Sequence, residues 1–171
     1  MSAVRVAIHG WSGSGKSAVC RYLRDAHGFA IASTGSICRQ IAGMLFASED
    51  RHLLNDVSVA MRGIRRDVWI EAALRRVESD RVVFDSVRYP TDVDILRSAG
   101  FEIWSISCPP EVAQQRLNER GQSFTLTDLG HESEVGLSEA AFDVRIDNGD
   151  RGWAAVCLDI DIAITSFGRV R

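Results

Sequence analysis

Eight consecutive residues, Gly10-Trp11-Ser12-Gly13-Ser14-Gly15-Lys16-Ser17, set glycines, an amine and a hydroxyl in the spacing G-x-x-x-x-G-K-S. Glycines at those positions let the backbone wrap an anion with successive N–H groups pointing inward. A helix beginning at the lysine adds its positive N-terminal end. The ammonium is compact enough to lie beside two neighbouring phosphates, and the serine hydroxyl suits a divalent cation bridging them. The spacing implies a nucleoside triphosphate with Mg2+ and does not by itself separate a kinase from a GTPase, a motor or a AAA-type ATPase. With no Asn-Lys-x-Asp-like guanine motif in the sequence, ATP is expected. The expected contacts are Gly10, Ser12, Gly13, Ser14, Gly15, Lys16, Ser17 and Ala18, with Ser17 the metal ligand. Of the 20 basic residues 19 are arginine, and the one lysine is Lys16. A planar guanidinium does not fit where that ammonium must go.

An overlapping pattern, Gly13-x-Gly15-x-x-Ala18, matches the dinucleotide-binding fingerprint, which needs an acidic residue closing the second strand. Here that strand ends Ala32-Ser33-Thr34 with no carboxylate, so the dinucleotide reading fails.

Asp85 follows the apolar run Val82-Val83-Phe84, which puts a carboxylate at the end of a buried strand. It is expected to hold a magnesium-bound water or to accept a proton from an attacking oxygen. A helix-capping or purely structural aspartate is the plainer alternative. Arg88, three residues on, can bind phosphate oxygens in two-pronged fashion, although most arginines are simply solvated.

These groups need elements to hold them. Apolar runs alternate with helical stretches, which predicts an α/β fold: a P-loop three-layer sandwich around a mainly parallel five-stranded sheet. Strands are expected at Arg5–His9, Phe29–Ala32, Arg81–Phe84, Ile103–Ser107 and Val144–Ile146. Helices are expected at Lys16–Ala26, after a Thr91 N-cap with Asp94 at N3, from Pro109-Pro110-Glu111 to near Gly121, and at Trp153–Phe167. A helical insertion spans about 36–77, broken at 48–55 and near Gly63. The polar stretch 121–137 reads as a lid. With 171 residues, one domain accounts for the chain.

A net charge of −3 gives no electrostatic case for nucleic acid or a membrane surface. No apolar stretch is long enough to cross a bilayer, and the first eight residues are too short for a secretory leader. Cys20, Cys38, Cys108 and Cys157 are widely spaced among apolar neighbours, so free thiols in a reducing cytoplasm are expected.

Asp85-Ser86-Val87-Arg88-Tyr89-Pro90, followed by Asp94-Ile95-Leu96-Arg97-Ser98-Ala99-Gly100, resembles the D-x-R-[FY]-P…I-R-x-x-G block of phage-type deoxynucleoside monophosphate kinases. These are relatives of the dephospho-CoA and nucleoside monophosphate kinases. The run from Arg62 through Arg65 and Arg66 to Trp69-Ile70 is similar to the family's arginine-rich stretch. His131-Glu132-Ser133-Glu134 resembles its H-x-S-E element, and Val144-Arg145-Ile146-Asp147-Asn148 its V-I-D-N strand end. With the glycine loop, the blocks keep the family's order over nearly the whole chain.

The resemblance implies a kinase that moves the γ-phosphate of ATP to a deoxynucleoside monophosphate, in the host cytoplasm if phage-encoded, and leaves a homodimer open. It places Lys16, Asp85, Arg88, Arg116 and Arg120 at the transferring phosphate, and Asn148 beside ATP. Thr34, Arg62, Arg65, Arg66, Trp69 and Arg88 would form the acceptor side. The stretch Gln122–Thr127 has no arginine, so lid chemistry would rest on Arg116 or Arg120. Those two read equally well as solvated positions on an amphipathic helix. A kinase acting on dephospho-CoA or another small metabolite keeps the same fold. A nucleotide-binding switch or assembly ATPase is the alternative from another class.

Overall fold

The computed structural model describes residues 3–121 and 137–167. Five strands, β1 (Val4–His9), β2 (Ala30–Ala32), β3 (Arg81–Phe84), β4 (Glu102–Ser107) and β5 (Val144–Asp147), form one sheet in the order β2-β3-β1-β4-β5. Every neighbouring pair is parallel. Parallel strands need helical crossovers, and those helices cover both faces of the sheet.

The side chains follow the strand period of two. On β1, Val6 and Ile8 join Val83, Trp104, Ile106 and Ile146 in one core. Helices α1 (Lys16–His27) and α7 (Trp153–Ser166) close it through Val19, Leu23, Val156 and Ile160. Ala7 points the other way, with Val82, Phe84 and Ile103, into a second core. That core is filled from α2 (Thr34–Phe46), α3 (Arg51–Ile64), α4 (Val68–Leu74) and α5 (Pro90–Ser98). Helix α6 (Pro110–Glu119) follows β4, and a single 3-10 turn at Glu139–Ala141 precedes β5.

Because all strands run the same way, their C-terminal ends share one edge. Gly10, Ser33, Asp85, Cys108 and Asn148 each directly follow one of the five strands there. In such sheets that edge is where ligands bind.

The region 36–77 was expected to be helical with breaks at 48–55 and near Gly63. It forms α2, α3 and α4, but α3 runs unbroken through 51–55 and Gly63, and the breaks fall at 47–50 and 65–67. Ser33 caps α2 by accepting the Ser36 N–H, and Asp50 caps α3 by accepting from His52 and Leu53. The start of α5 differs from expectation. Tyr89 rather than Thr91 is the N-cap, Pro90 is the first helical residue, and Asp92 takes N3 in place of Asp94. Proline with its fixed φ favours that first position. The Asp92 carboxylate accepts the Arg88 and Tyr89 N–H groups at 3.1 and 3.2 Å, which fixes the start there. The four cysteines are free thiols, three of them buried. Among the described residues no helix is long and apolar enough to cross a membrane. The expected lid lies outside the described residues except at Gly121 and Leu137, as do His131 and Glu134.

Candidate active site

Two contacts show why the loop between β1 and α1 must be rich in glycine. Gly13 has φ +82°, and a Cβ there would come within 2.6 Å of the Ala113 carbonyl on α6. Gly15, at φ +101°, would put a Cβ 2.0 Å from the Asn148 side-chain nitrogen. The loop is thus clasped by α6 on one side and the end of β5 on the other. Asn148 is buried, donates Nδ2–H to the Ser14 carbonyl at 2.7 Å, and has its own N–H on the Ser107 carbonyl. Expected to touch ATP, it braces the loop from beneath.

Ser14 is fully buried, and its Oγ has no hydrogen-bond partner among the described residues. Lys16 Nζ donates to the Gly10 and Trp11 carbonyls, so the ammonium lies across the mouth of the loop. Ala18 begins the first turn of α1 with its N–H on the Gly15 carbonyl at 2.9 Å. Trp11, Ser12, Gly13, Gly15, Lys16, Ser17 and Ala18 line a cavity of about 190 Å³, closed on the far side by Leu117 and Arg120 of the α6 end. Arg120 therefore faces the loop, as expected. Arg116 is half-buried and does not line this cavity; its Nη1 is buried and unpartnered among the described residues.

Asp85 stands where β3 ends, beside β1, with its N–H on the Ala32 carbonyl at 3.1 Å. Burial pushes its carboxyl above the ordinary carboxylate value. The Ser33 hydroxyl, the Thr34 amide, and the charges of Arg88 and Lys16 oppose that rise without cancelling it. Its Oδ1 is buried without a hydrogen bond among the described residues. Such an orphaned acceptor fits a group that brings its own protons, either a metal-bound water or an acceptor hydroxyl.

The acceptor-side residues sort less evenly. Thr34 opens α2, with its Oγ1 3.1 Å from Ser86 Oγ. Arg88 is exposed on the loop after Asp85. Arg62 and Arg66, with Gly63, Tyr89 and Thr91, line a second cavity of about 360 Å³. Arg65 is half-exposed and paired with Asp67 at 2.7 Å. Trp69 is not at the site. It is 3 % exposed in the core under α3, and its indole N–H donates to the Ser58 carbonyl at 3.1 Å. A large ring with a satisfied donor is worth more there as packing than as a ligand surface.

Two residues of this edge were not anticipated. His9, the last residue of β1, has Nδ1 3.0 Å from the Val87 carbonyl, so that nitrogen carries the proton and donates. Its ring stacks on Phe142 at 5.2 Å. With the Val87 N–H on the Ile8 carbonyl, this stitches the Asp85–Arg88 loop to the strand feeding the glycine loop. Asp92 is the other, pairing with Arg62 at 3.0 Å while 1 % exposed. A lone histidine before a glycine and an aspartate two residues past a proline carry no local signal of these roles.

A parallel sheet with a phosphate-type loop after its central strand defines a P-loop nucleotide-binding fold. The chain belongs to the AAA domain family AAA_18, which matches residues 6–135. No curated protein matches it. Among solved structures, it is similar in fold to a gluconokinase from Sinorhizobium meliloti, with a TM-score of 0.62, 18 % identity, and coverage of 99 % of this chain and 98 % of that one. A shikimate kinase from Acinetobacter baumannii, in complex with shikimate, gives a TM-score of 0.63 at 14 % identity, covering 96 % and 94 %. A sugar kinase from a Janibacter species gives 0.58 at 18 %, covering 97 % and 96 %. The fold is that of the P-loop kinases.

Proposed function

We propose that this chain is an ATP-dependent phosphotransferase that converts a deoxynucleoside monophosphate and ATP into the diphosphate and ADP. The observation that carries the acceptor half is the cavity bounded by the Arg62 and Arg66 guanidiniums and the Tyr89 ring, next to the loop of Arg88. Cations beside an aromatic face suit a phosphate joined to a planar base. The donor half rests on the loop cavity, where Lys16 and Arg120 face one another across space for a phosphate chain. Mg2+ held by Ser17 and facing Asp85 would neutralise charge on those phosphates. Transfer of this kind depends on positioning and charge more than on a nucleophilic side chain, and the site is built accordingly. The structural neighbours named as kinases of small molecules support the reaction class and say nothing of the acceptor.

One observation favours a second reading. The raised Asp85 carboxyl, whose Oδ1 has no hydrogen-bond partner among the described residues, suits an acceptor hydroxyl that must give up a proton, as in a small-metabolite kinase. ADP release measured with deoxynucleoside monophosphates, ribonucleotides, dephospho-CoA, gluconate and shikimate separates the two. Turnover with a deoxynucleoside monophosphate is the expected result. Turnover confined to an unphosphorylated polyol transfers the protein to the second reading. ATP binding without turnover on any acceptor removes both and leaves a nucleotide-dependent switch.

A further inference from the structure

Three arginines lie within five residues at the acceptor cavity, and their surroundings differ. Arg62 is engaged on two sides. Its Nη1 and Nη2 reach both oxygens of Asp92 at 3.0 and 3.3 Å, and its guanidinium lies 4.5 Å from the Tyr89 ring centroid. Asp92 is 1 % exposed and Arg62 20 %. The same carboxylate accepts the N–H groups of Arg88 and Tyr89. One buried aspartate thus ties α3 to the loop that presents Arg88. Arg65 is held by Asp67. Arg66 lines the cavity and makes no ion pair among the described residues.

Building on the phosphate-acceptor reading, we infer that Arg62 and Asp92 are positioning residues and that Arg66, with Arg88, is the cation that takes the acceptor's phosphate. A guanidinium already forked onto a buried carboxylate would have to abandon it, leaving that charge unpaired, before it could bind an incoming anion. Arg66 has no such pair to break. Arg62 instead holds Tyr89 flat and fixes the start of α5, so the Arg88 side chain leaves from a rigid point.

Binding of the four deoxynucleoside monophosphates by calorimetry, with melting curves, tests this in the whole 171-residue chain. Arg66→Ala is expected to weaken binding by about tenfold or more, the loss of one charge-assisted phosphate contact, with an unchanged melting temperature. Arg62→Ala is expected to lower the melting temperature and weaken binding less. Asp92→Asn keeps an acceptor for the two N–H groups. It should raise the acceptor KM with little change in the KM for ATP, a split that general loss of structure would not produce. In the Asp92→Asn background, Arg62→Ala should add little. If Arg62→Ala leaves melting untouched and abolishes monophosphate binding while Arg66→Ala does neither, the assignment is reversed and the inference is wrong. If the wild-type protein binds none of the four monophosphates, the acceptor reading itself has failed, a result visible before any variant is made.

Discussion

At Asp85, burial sets both a reactivity and a stability. Its carboxyl titrates above the ordinary carboxylate range, so the folded state holds the proton more tightly than the unfolded chain does. Between the two values the native protein binds more protons, so stability falls as pH rises through that window. Above that window the ionised carboxylate is therefore a net cost. Asp85→Asn should raise the melting temperature at pH 7, and the gain should vanish below the carboxylate range. The same variant should lose about a hundredfold or more in turnover, the usual worth of a positioned proton acceptor. Melting and activity profiles from pH 3 to pH 8 check both halves; an unchanged kcat would take Asp85 out of the reaction. Lys16→Ala should cost turnover on the order of a hundredfold to a thousandfold, as loss of a charge aimed at the transferring group does. Near-unaltered circular dichroism is expected alongside, because the carbonyls that the Lys16 ammonium bonds, Gly10 and Trp11, belong to the loop itself and not to the sheet or a helix. Arg88→Ala should likewise stop turnover with the fold intact.

The loop after β1 works only because its two flanks are themselves fixed. Gly15→Ala drives a methyl group into Asn148 and forces a left-handed backbone on alanine, so nucleotide affinity and melting temperature should fall together. Gly28→Ala, at the C-cap of α1 with open space around it, should cost only the backbone preference, about 1–2 kcal/mol, and leave nucleotide binding alone. Equal losses of nucleotide affinity in the two variants, read by calorimetry, would contradict this account. Asn148 illustrates what the sequence could and could not disclose. Its place at the end of β5 follows from the short strand expected at Val144–Ile146 before it, but its bond to Ser14 spans 134 residues and only the sheet order creates it. The glycine loop, the five strands and Asp85 at a strand end were legible because short apolar runs and a fixed motif are local signals. Arg62 with Asp92 was not, since a pair 30 residues apart on different helices leaves no periodic trace. Trp69 went astray for a related reason: an aromatic beside arginines looks the same in a string whether it faces ligand or core.

Across the whole molecule, β1 sits at the centre of a sheet it cannot start alone. Val6 pairs with Val83 on one side and Glu102 on the other. The central strand thus waits for segments nearly half the chain away, and non-local pairing of this kind slows folding. A fragment ending at Asp80 should show helical circular dichroism without a cooperative melt; a sharp transition in it would place the folding unit elsewhere. The single lysine carries a different consequence. Its amine rests on two carbonyls inside the loop cavity, and no other side chain in the sequence has one. An acylating reagent thus meets one side-chain target. The mass of that one peptide then gauges how often the pocket is occupied, with no residue substituted.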